Sequence, residues 1–337
     1  MTSDVRLTVL GAGSWGLTLA QLWAQKEGFK VRVYCRDEER ARRLAQTKSI
    51  DKPRSAPLVE GVEISSDLAH CVDGAQYLVL ACTSQGMRDL LTHLRELFTS
   101  PHKKDLPVLI SAVKGLELGT HMRMSEVISS VFPEASLAAL SGPNLAMEVL
   151  QGLPTASVVA AGDIDLAKSL RSILSAPRFR VYANDDLIGV ELGGTTKNVI
   201  AIASGSCDGL GLGVNAKASL LTRGLAEMSR LAARLGAKPG TMAGLAGMGD
   251  LFATCESNLS RNYQVGYGLA KGKSLQSILL ELGQVAEGVT TASALCELSI
   301  RLGLELPIAE QVESTLKGVS TPADSIMALL SRPLASE

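Results

Sequence analysis

VRLTVLGAGSWGLTLAQLWA, residues 5–24, decides the fold. Val5 to Leu10 is a short apolar run rich in β-formers. GAGSWG follows at 11–16, and helical spacing then sets in with Leu17, Ala20, Trp23 and Ala24. Strand, glycine turn and helix are the order a dinucleotide site needs. Gly11 permits the tight turn, Gly13 lets the backbone approach a pyrophosphate, and Gly16 lets the helix pack closely on the strand. The amides of Ser14 and Trp15, at the helix N-terminus, would face the phosphates. Glycine turns also occur without a ligand, so the motif counts through its context: a helix-length segment leads to a second strand at Val31 to Tyr34. Arg36 follows Gly16 by 20 residues, where an NAD-preferring site places an acid on the ribose hydroxyls; arginine there suits a 2′-phosphate and favours NADP(H). Two alternatives stay open, Asp37 reaching the ribose and Arg36 as a solvated surface charge.

Outward from this stretch the βα alternation continues. Residues up to Glu60 carry Pro53, Pro57 and several charges and read as a loop-rich connection. Strands are predicted at 77–82, 108–113, 136–140, 155–161 and 178–182, with helices at 85–98 and 163–175. Lys114-Gly115 ends the 108–113 strand, and ligands of open parallel sheets bind beyond the carboxyl ends of strands; a plain surface lysine is the alternative. Ser141-Gly142-Pro143-Asn144, followed by a short helix with Ala146 and Glu148, repeats the strand, glycine turn, helix order and offers small donors to a ligand. After Asn184 the period becomes helical: Val289, Ala292, Leu295, Leu298 and Leu302 recur at spacings of 3, 3, 3 and 4. Two domains are expected, 1–187 as an α/β dinucleotide-binding unit with a mostly parallel, doubly wound sheet, and 188–337 as an all-helical unit. The closing RPLASE reads as a loose end.

Composition excludes several classes. With 33 Lys+Arg against 34 Asp+Glu there is no global basic field for nucleic acid or an anionic membrane, and aromatic residues at 4% argue against an extended base-stacking platform. Cysteines 35, 71, 82, 207, 255 and 296 form no CxxC pair and no short metal-ligand spacing, so a reduced protein with buried thiols and no metal is expected. No apolar run approaches the roughly 18 to 20 residues that cross a bilayer. Asp4 interrupts what would be a signal sequence, and a cytoplasmic protein without a membrane span is the expectation.

The helical half holds a polar cluster. ELGGTTKNVIAIASG at 191–205 reads as a helix whose Leu192, Val199, Ile200 and Ile202 cannot share a face with Lys197, while Gly193 and Gly194 lie one turn back on the lysine's face and leave open space beside the amine. A snorkelling surface lysine is the ordinary alternative. GLAGMGDLFATC at 244–255 sets Asp250 among Gly244, Gly247 and Gly249, as close packing on another segment would require. Ser260-Arg261-Asn262 combines a helix cap with a guanidinium, an anion site. Val285-Ala286-Glu287-Gly288 opens another helix. A turn aspartate, an N-cap and a first-turn acid explain these residues equally well one at a time.

In series, GAGSWG, SAVKG at 111–115, SGPN at 141–144, TTKNVIAIASG at 195–205, GLAGMGDL at 244–251, CESNLSRN at 255–262 and VAEGVTT at 285–291 resemble one family across nearly the whole chain, the prokaryotic-type NAD(P)-dependent glycerol-3-phosphate dehydrogenases. The resemblance implies a Rossmann-type domain followed by an all-α domain of the 6-phosphogluconate-dehydrogenase-like kind. It makes Lys197 the acid/base residue and puts the phosphate substrate, dihydroxyacetone phosphate or sn-glycerol 3-phosphate, on Lys114, Gly142, Asn144, Lys197, Asp250, Ser260, Arg261 and Asn262. NADP(H) or NAD(H) would lie on Gly11, Gly13, Ser14, Trp15, Gly16, Arg36, Lys114, Ala146, Arg261, Val285 and Glu287. A homodimer feeding glycerophospholipid synthesis is implied as well. Segment 46–61 lies outside every matched motif.

That role gives the cluster a chemistry. A Lys197 ammonium can protonate the oxygen on which charge develops during hydride transfer, whereas the reverse direction needs the neutral amine. Desolvation and Lys114 would lower its pKa and Asp250 would oppose them, and the sequence leaves that balance open. Two rivals remain: a related dehydrogenase acting on a β-hydroxy acid, which would prefer a carboxylate to a phosphate, and a dinucleotide-sensing binding protein, which has no need of Lys197, Asp250 and Arg261 together.

Overall fold

The computed structural model describes residues 4–98 and 106–331; the RPLASE tail lies outside them. The chain divides into two compact units, Met1–Val113 with Met122–Leu187, and Lys114–His121 with Ile188–Glu337. The segment Lys114–His121 therefore belongs with the helical unit, although the strand before it is part of the first. Leu116, 1% exposed, is buried in the helical unit's core, and Lys114 is ion-paired there.

The first unit is built on strands β1 (Val5–Leu10), β2 (Phe29–Tyr34), β3 (Ser49–Ile50), β4 (Ala56–Pro57), β5 (Val62–Ser65), β6 (Tyr77–Leu80), β7 (Val108–Ser111), β8 (Leu137–Ser141), β9 (Thr155–Ala160) and β10 (Phe179–Asn184). Its helices are α1 (Ser14–Ala24), α2 (Glu38–Thr47), α3 (Leu68–Val72), α4 (Met87–Leu97), α5 (Met124–Val131), α6 (Ala146–Leu150) and α7 (Ile164–Leu174). Eight strands form one sheet in the order β10-β9-β8-β7-β6-β1-β2-β5, parallel throughout except where β8 meets β9. Leu7 to Leu10 of β1 are almost fully buried, as a central strand covered on both faces requires, so the sequence is near-continuously apolar there, the Thr8 hydroxyl donating to the Cys71 carbonyl at 2.6 Å. The chain moves from β1 to β2 and β5 on one side and to β6 on the other. The glycine turn after β1 thus sits at the switch point, where a doubly wound sheet opens a crevice.

The connection expected to be loop-rich holds more order than its composition suggests. β3 and β4 pair as a small antiparallel hairpin, and β5 joins the main sheet beside β2. Four residues at a sheet edge, just after Gly61, are too few to show a period.

The second unit contains α8 (Leu187–Gly209), α9 (Gly213–Arg234), α10 (Asp250–Glu256), α11 (Arg261–Ala270), α12 (Leu275–Leu282), α13 (Glu287–Leu302), α14 (Pro307–Leu316) and α15 (Pro322–Leu330). α8 is buried on every side over nearly its whole length and is the axis of this unit. Missing side chains let other segments reach its backbone. A Cβ on Gly205 would lie 2.0 Å from the Tyr263 carbonyl oxygen, and one on Gly266 would lie 1.8 Å from that of Ile202, so α8 and α11 cross in backbone contact. Among the described residues no helix is long and apolar enough to cross a membrane.

Gly266→Ala forces this crossing apart and is expected to destabilise the protein by about 3 kcal/mol. Gly162→Ala, where a Cβ meets nothing within 4 Å, should change stability by less than about 0.5 kcal/mol. Chemical denaturation of the two variants checks this; equal losses would refute the close-packing account.

Candidate active site

Where α8 passes the start of α10, an ammonium is held out of water. Lys197, 5% exposed, donates from Nζ to Asp250 Oδ1 at 2.7 Å and to Thr254 Oγ1 at 2.6 Å. Asp250, 1% exposed, accepts on Oδ2 from Lys114 Nζ at 2.6 Å. Thr254, four residues beyond Asp250 on α10, donates to Asp250 Oδ1 at 3.1 Å. One buried carboxylate thus faces two amines and a hydroxyl. Burial drives the Lys197 pKa down, Asp250 pushes it back up and the Lys114 ammonium lowers it again; burial prevails, and the amine stands at about 8. An amine so poised is protonated at neutral pH and gives up its proton readily, which suits a group that must serve as acid in one direction and base in the other.

The approach to Asp250 is a π-helical turn, Leu245–Gly249. A Cβ on Gly247 would lie 2.2 Å from the Met242 carbonyl oxygen, so this turn is tightened on its own preceding residues. A Cβ on Gly193 of α8 would lie 2.3 Å from the Ala246 carbonyl oxygen. The expectation of open space beside Lys197 is corrected here: Gly193 makes room for the backbone that delivers Asp250, and the amine is enclosed.

A second chain of hydrogen bonds starts next to the lysine. Asn198 donates from Nδ2 to the Lys114 carbonyl at 3.4 Å and accepts on Oδ1 from Asn262 Nδ2 at 2.9 Å, while Asn262 Oδ1 accepts from the Gly288 amide at 3.0 Å. A Cβ on Gly288 would fall 2.7 Å from the Asn198 carbonyl oxygen, so α8, α11 and the start of α13 converge within a few ångströms. Ser260 caps α11 by accepting from the Tyr263 amide at 3.2 Å. Arg261, exposed in the first turn of that helix, donates to the Val285 carbonyl at 2.6 Å. Glu287 opens α13 two residues later. Lys114, Lys197, Asp250, Ser260, Arg261, Asn262, Val285 and Glu287 are therefore all residues of the second unit, grouped around α8 and the first turns of α10, α11 and α13.

The remaining predicted residues lie in the first unit. Gly11 has φ of +129°, and a Cβ there would sit 2.6 Å from the Ala81 carbonyl oxygen; one on Gly16 would sit 2.0 Å from the Gly11 carbonyl oxygen. Gly13 caps α1, is exposed and has nothing within 4 Å of its missing Cβ, so the backbone there is open to a ligand. Trp15 Nε1 is buried without a hydrogen-bond partner, as are Ser141 Oγ and Asn144 Oδ1. Asn144 is oriented by its Nδ2 bond to Ser157 Oγ at 3.1 Å. Gly142, with φ of +134°, lets this turn approach Ser157. α6, beginning at Ala146, packs against α1. Arg36 is exposed directly after β2, and the Asp37 side chain accepts from the Arg40 amide as the N-cap of α2. An uncovered glycine turn at a helix N-terminus, with orphaned buried donors and acceptors in the same unit, fits a dinucleotide.

Comparison with known proteins bears on both units. The model of the NAD-dependent glycerol-3-phosphate dehydrogenase N-terminus matches residues 6–167, and that of the C-terminus matches residues 186–327. The chain belongs to the NAD-dependent glycerol-3-phosphate dehydrogenase family. Among its relatives, a glycerol-3-phosphate dehydrogenase [NAD(P)+] from Synechococcus sp. (strain JA-2-3B'a(2-13)) is 44% identical over 336 residues, covering 100% of this chain and 97% of its own. One from Rhodospirillum rubrum is 43% identical, covering 98% of this chain and 93% of its own. The crystal structure of glycerol-3-phosphate dehydrogenase from Coxiella burnetii superposes with a TM-score of 0.91 at 35% identity, covering 98% of this chain and 99% of that one.

Against this glycerol-3-phosphate dehydrogenase background, two residues of the buried cluster escaped the sequence reading, Thr254 and Asn198. Thr254 carried a signal, since a helix at 250–256 puts positions four apart on one face. Asn198 stands next to Lys197 in sequence, and only the approach of α11 and α13 gives it partners.

Because Asp250 raises the Lys197 pKa, Asp250→Ala is expected to bring it further below about 8. NMR titration of the lysine Nζ signals in the two proteins measures this; an unchanged or higher value would contradict the pairing.

Proposed function

We propose that this chain interconverts dihydroxyacetone phosphate and sn-glycerol 3-phosphate with NAD(P)(H), the first unit holding the dinucleotide and the second binding the substrate and moving the proton. The observation that carries the reading is the buried Lys197–Asp250–Lys114 set, enclosed with Thr254, in a chain whose two halves match the two halves of the family. When bound, the nicotinamide supplies the hydride to the carbonyl carbon.

Lys197 donates its proton to the oxygen on which negative charge grows, and takes it back in the oxidation. Asp250 and Thr254 fix Nζ from two directions, so little reorganisation accompanies the transfer. The Lys114 ammonium adds positive charge beside the same oxygen. Arg261, with the amides of the α11 N-terminus and the flanking Ser260 and Asn262, binds the substrate phosphate. The family resemblance assigns Gly142 and Asn144 of the first unit to the substrate as well. The dinucleotide pyrophosphate rests on Gly11, Gly13, Ser14, Trp15 and Gly16; Arg36 takes a 2′-phosphate, which favours NADP(H); Lys114, Ala146, Arg261, Val285 and Glu287 line the remainder. Family membership supports a cytoplasmic homodimer whose product enters glycerophospholipid synthesis. It leaves the β-hydroxy acid and non-catalytic alternatives without an observation in their favour.

Lys197→Ala is expected to cut dihydroxyacetone phosphate reduction about 10²- to 10⁴-fold with NADPH binding retained; near-normal loss of NADPH absorbance would sink the assignment. The pH profile follows from the amine at about 8. Reduction needs the ammonium, so kcat/KM should hold level below that pH and fall above it. Oxidation needs the neutral amine and should rise up to that pH and then level. Profiles of the same sense in both directions would assign the proton to another group.

A further inference from the structure

The segment 46–61, outside every matched motif, reaches back to the glycine turn through one ion pair. On α2, Arg40 donates from Nε to Asp51 Oδ2 at 3.0 Å and from Nη2 to Asp51 Oδ1 at 2.7 Å, and the same Nη2 donates to the Ala12 carbonyl, inside GAGSWG, at 2.7 Å. Arg43, one turn along, adds a bond from Nη2 to Asp51 Oδ2 at 3.2 Å. The position of Asp51 is set independently of the arginines. It follows β3 in the β3–β4 hairpin, whose Ile50 is buried, and Gln21 of α1 fastens the end of that hairpin by donating to the Pro57 carbonyl at 2.8 Å and accepting from the Val59 amide at 2.7 Å. One carboxylate thus spans two guanidiniums next to the site where the first unit would take the adenosine end of a dinucleotide. The bidentate Arg40 guanidinium holds the Asp51 carboxyl below the usual carboxylate range, so its charge is present at neutral pH.

Arg36 and Arg40 are four positions apart in the sequence but differ in their surroundings. Arg36 is exposed at the end of β2, whereas Arg40 is drawn in between Ala12 and Asp51. We propose that Asp51 and Arg40 set the dinucleotide preference: Asp51 keeps Arg40 on the Ala12 carbonyl and cancels its charge, so that a 2′-phosphate is met by Arg36 without support from Arg40. This rests on the dinucleotide reading of the first unit given above. Arg40 is a positioning residue, and Asp51 tunes specificity by charge. A chain built this way accepts both NAD(H) and NADP(H), because the second arginine that would strengthen the hold on a phosphate is neutralised by the neighbouring carboxylate.

The test is the dissociation constant of the full-length protein for NADPH and for NADH, from quenching of its tryptophan fluorescence, alongside the kinetics with each. Asp51→Asn leaves Arg40 and Arg43 uncompensated and should raise the preference for NADPH over NADH about fivefold at low salt, with the gain fading at roughly 0.5 M salt. Arg40→Gln leaves the Asp51 carboxylate facing the 2′-phosphate and should lower the same ratio, with both affinities reduced as the Ala12 carbonyl loses its donor. Opposite signs separate a charge effect from simple loss of structure, which weakens both dinucleotides alike. A ratio unmoved in both variants, or moved in the same direction by both, overturns the proposal. A wild-type chain that binds neither dinucleotide overturns it along with the reading beneath it. Shifts of the stated signs in a protein that fails to reduce dihydroxyacetone phosphate support it and overturn the reaction instead.

Discussion

The second unit is organised around the cost of taking an ammonium out of water. A buried lysine without partners would shed its proton or pull its helix toward solvent. Lys197 does neither, because Asp250 and Thr254 reach it from α10 and Lys114 shares the same carboxylate. These groups come from three separate stretches of chain. α8 supplies the amine and the axis, and the segments that carry Asp250, Thr254 and Lys114 reach it from elsewhere in the chain.

Glycine makes that distance possible. Gly193 admits the turn that carries Asp250, Gly205 and Gly266 let α11 lie against α8, and Gly288 brings the start of α13 onto Asn198 and Asn262. The proposed proton donor and the proposed phosphate site are thus held in register by main-chain contacts, which rotamer changes cannot loosen. Packing and chemistry use the same residues: the short spacings that stabilise the unit also fix the span between Lys197 on α8 and Arg261 on α11.

Much of this was legible in the sequence, for local reasons. The strands of the first unit announce themselves because buried parallel strands are continuous apolar runs, and the glycine turn because strand, turn and helix are contiguous. Lys197, Asp250 and the Ser260-Arg261-Asn262 cap stood out as polar residues in apolar or capping contexts. What was hidden depends on contacts distant in sequence. A glycine in a sequence says that a side chain is missing and not what fills its place, so Gly193 suggested a void where Ala246 sits. Val62–Ser65 is too short to carry a period. Thr254 becomes visible only with the register of α10, Asn198 only with its partners, and Asp51 only once the hairpin brings it to α2.

The assignment of Lys114–His121 to the helical unit has a bearing on inheritance. The first unit is not a contiguous stretch, since the chain leaves it after Val113 and rejoins it at Met122 before leaving again at Leu187. A recombination event joining a foreign helical half at Ile188 would deliver Lys197 and Asp250 but take Leu116 and the second ammonium from the other parent. The halves can be exchanged intact only if both parents carry the same eight-residue loan, which binds their sequences into one unit of descent even though they fold around separate cores.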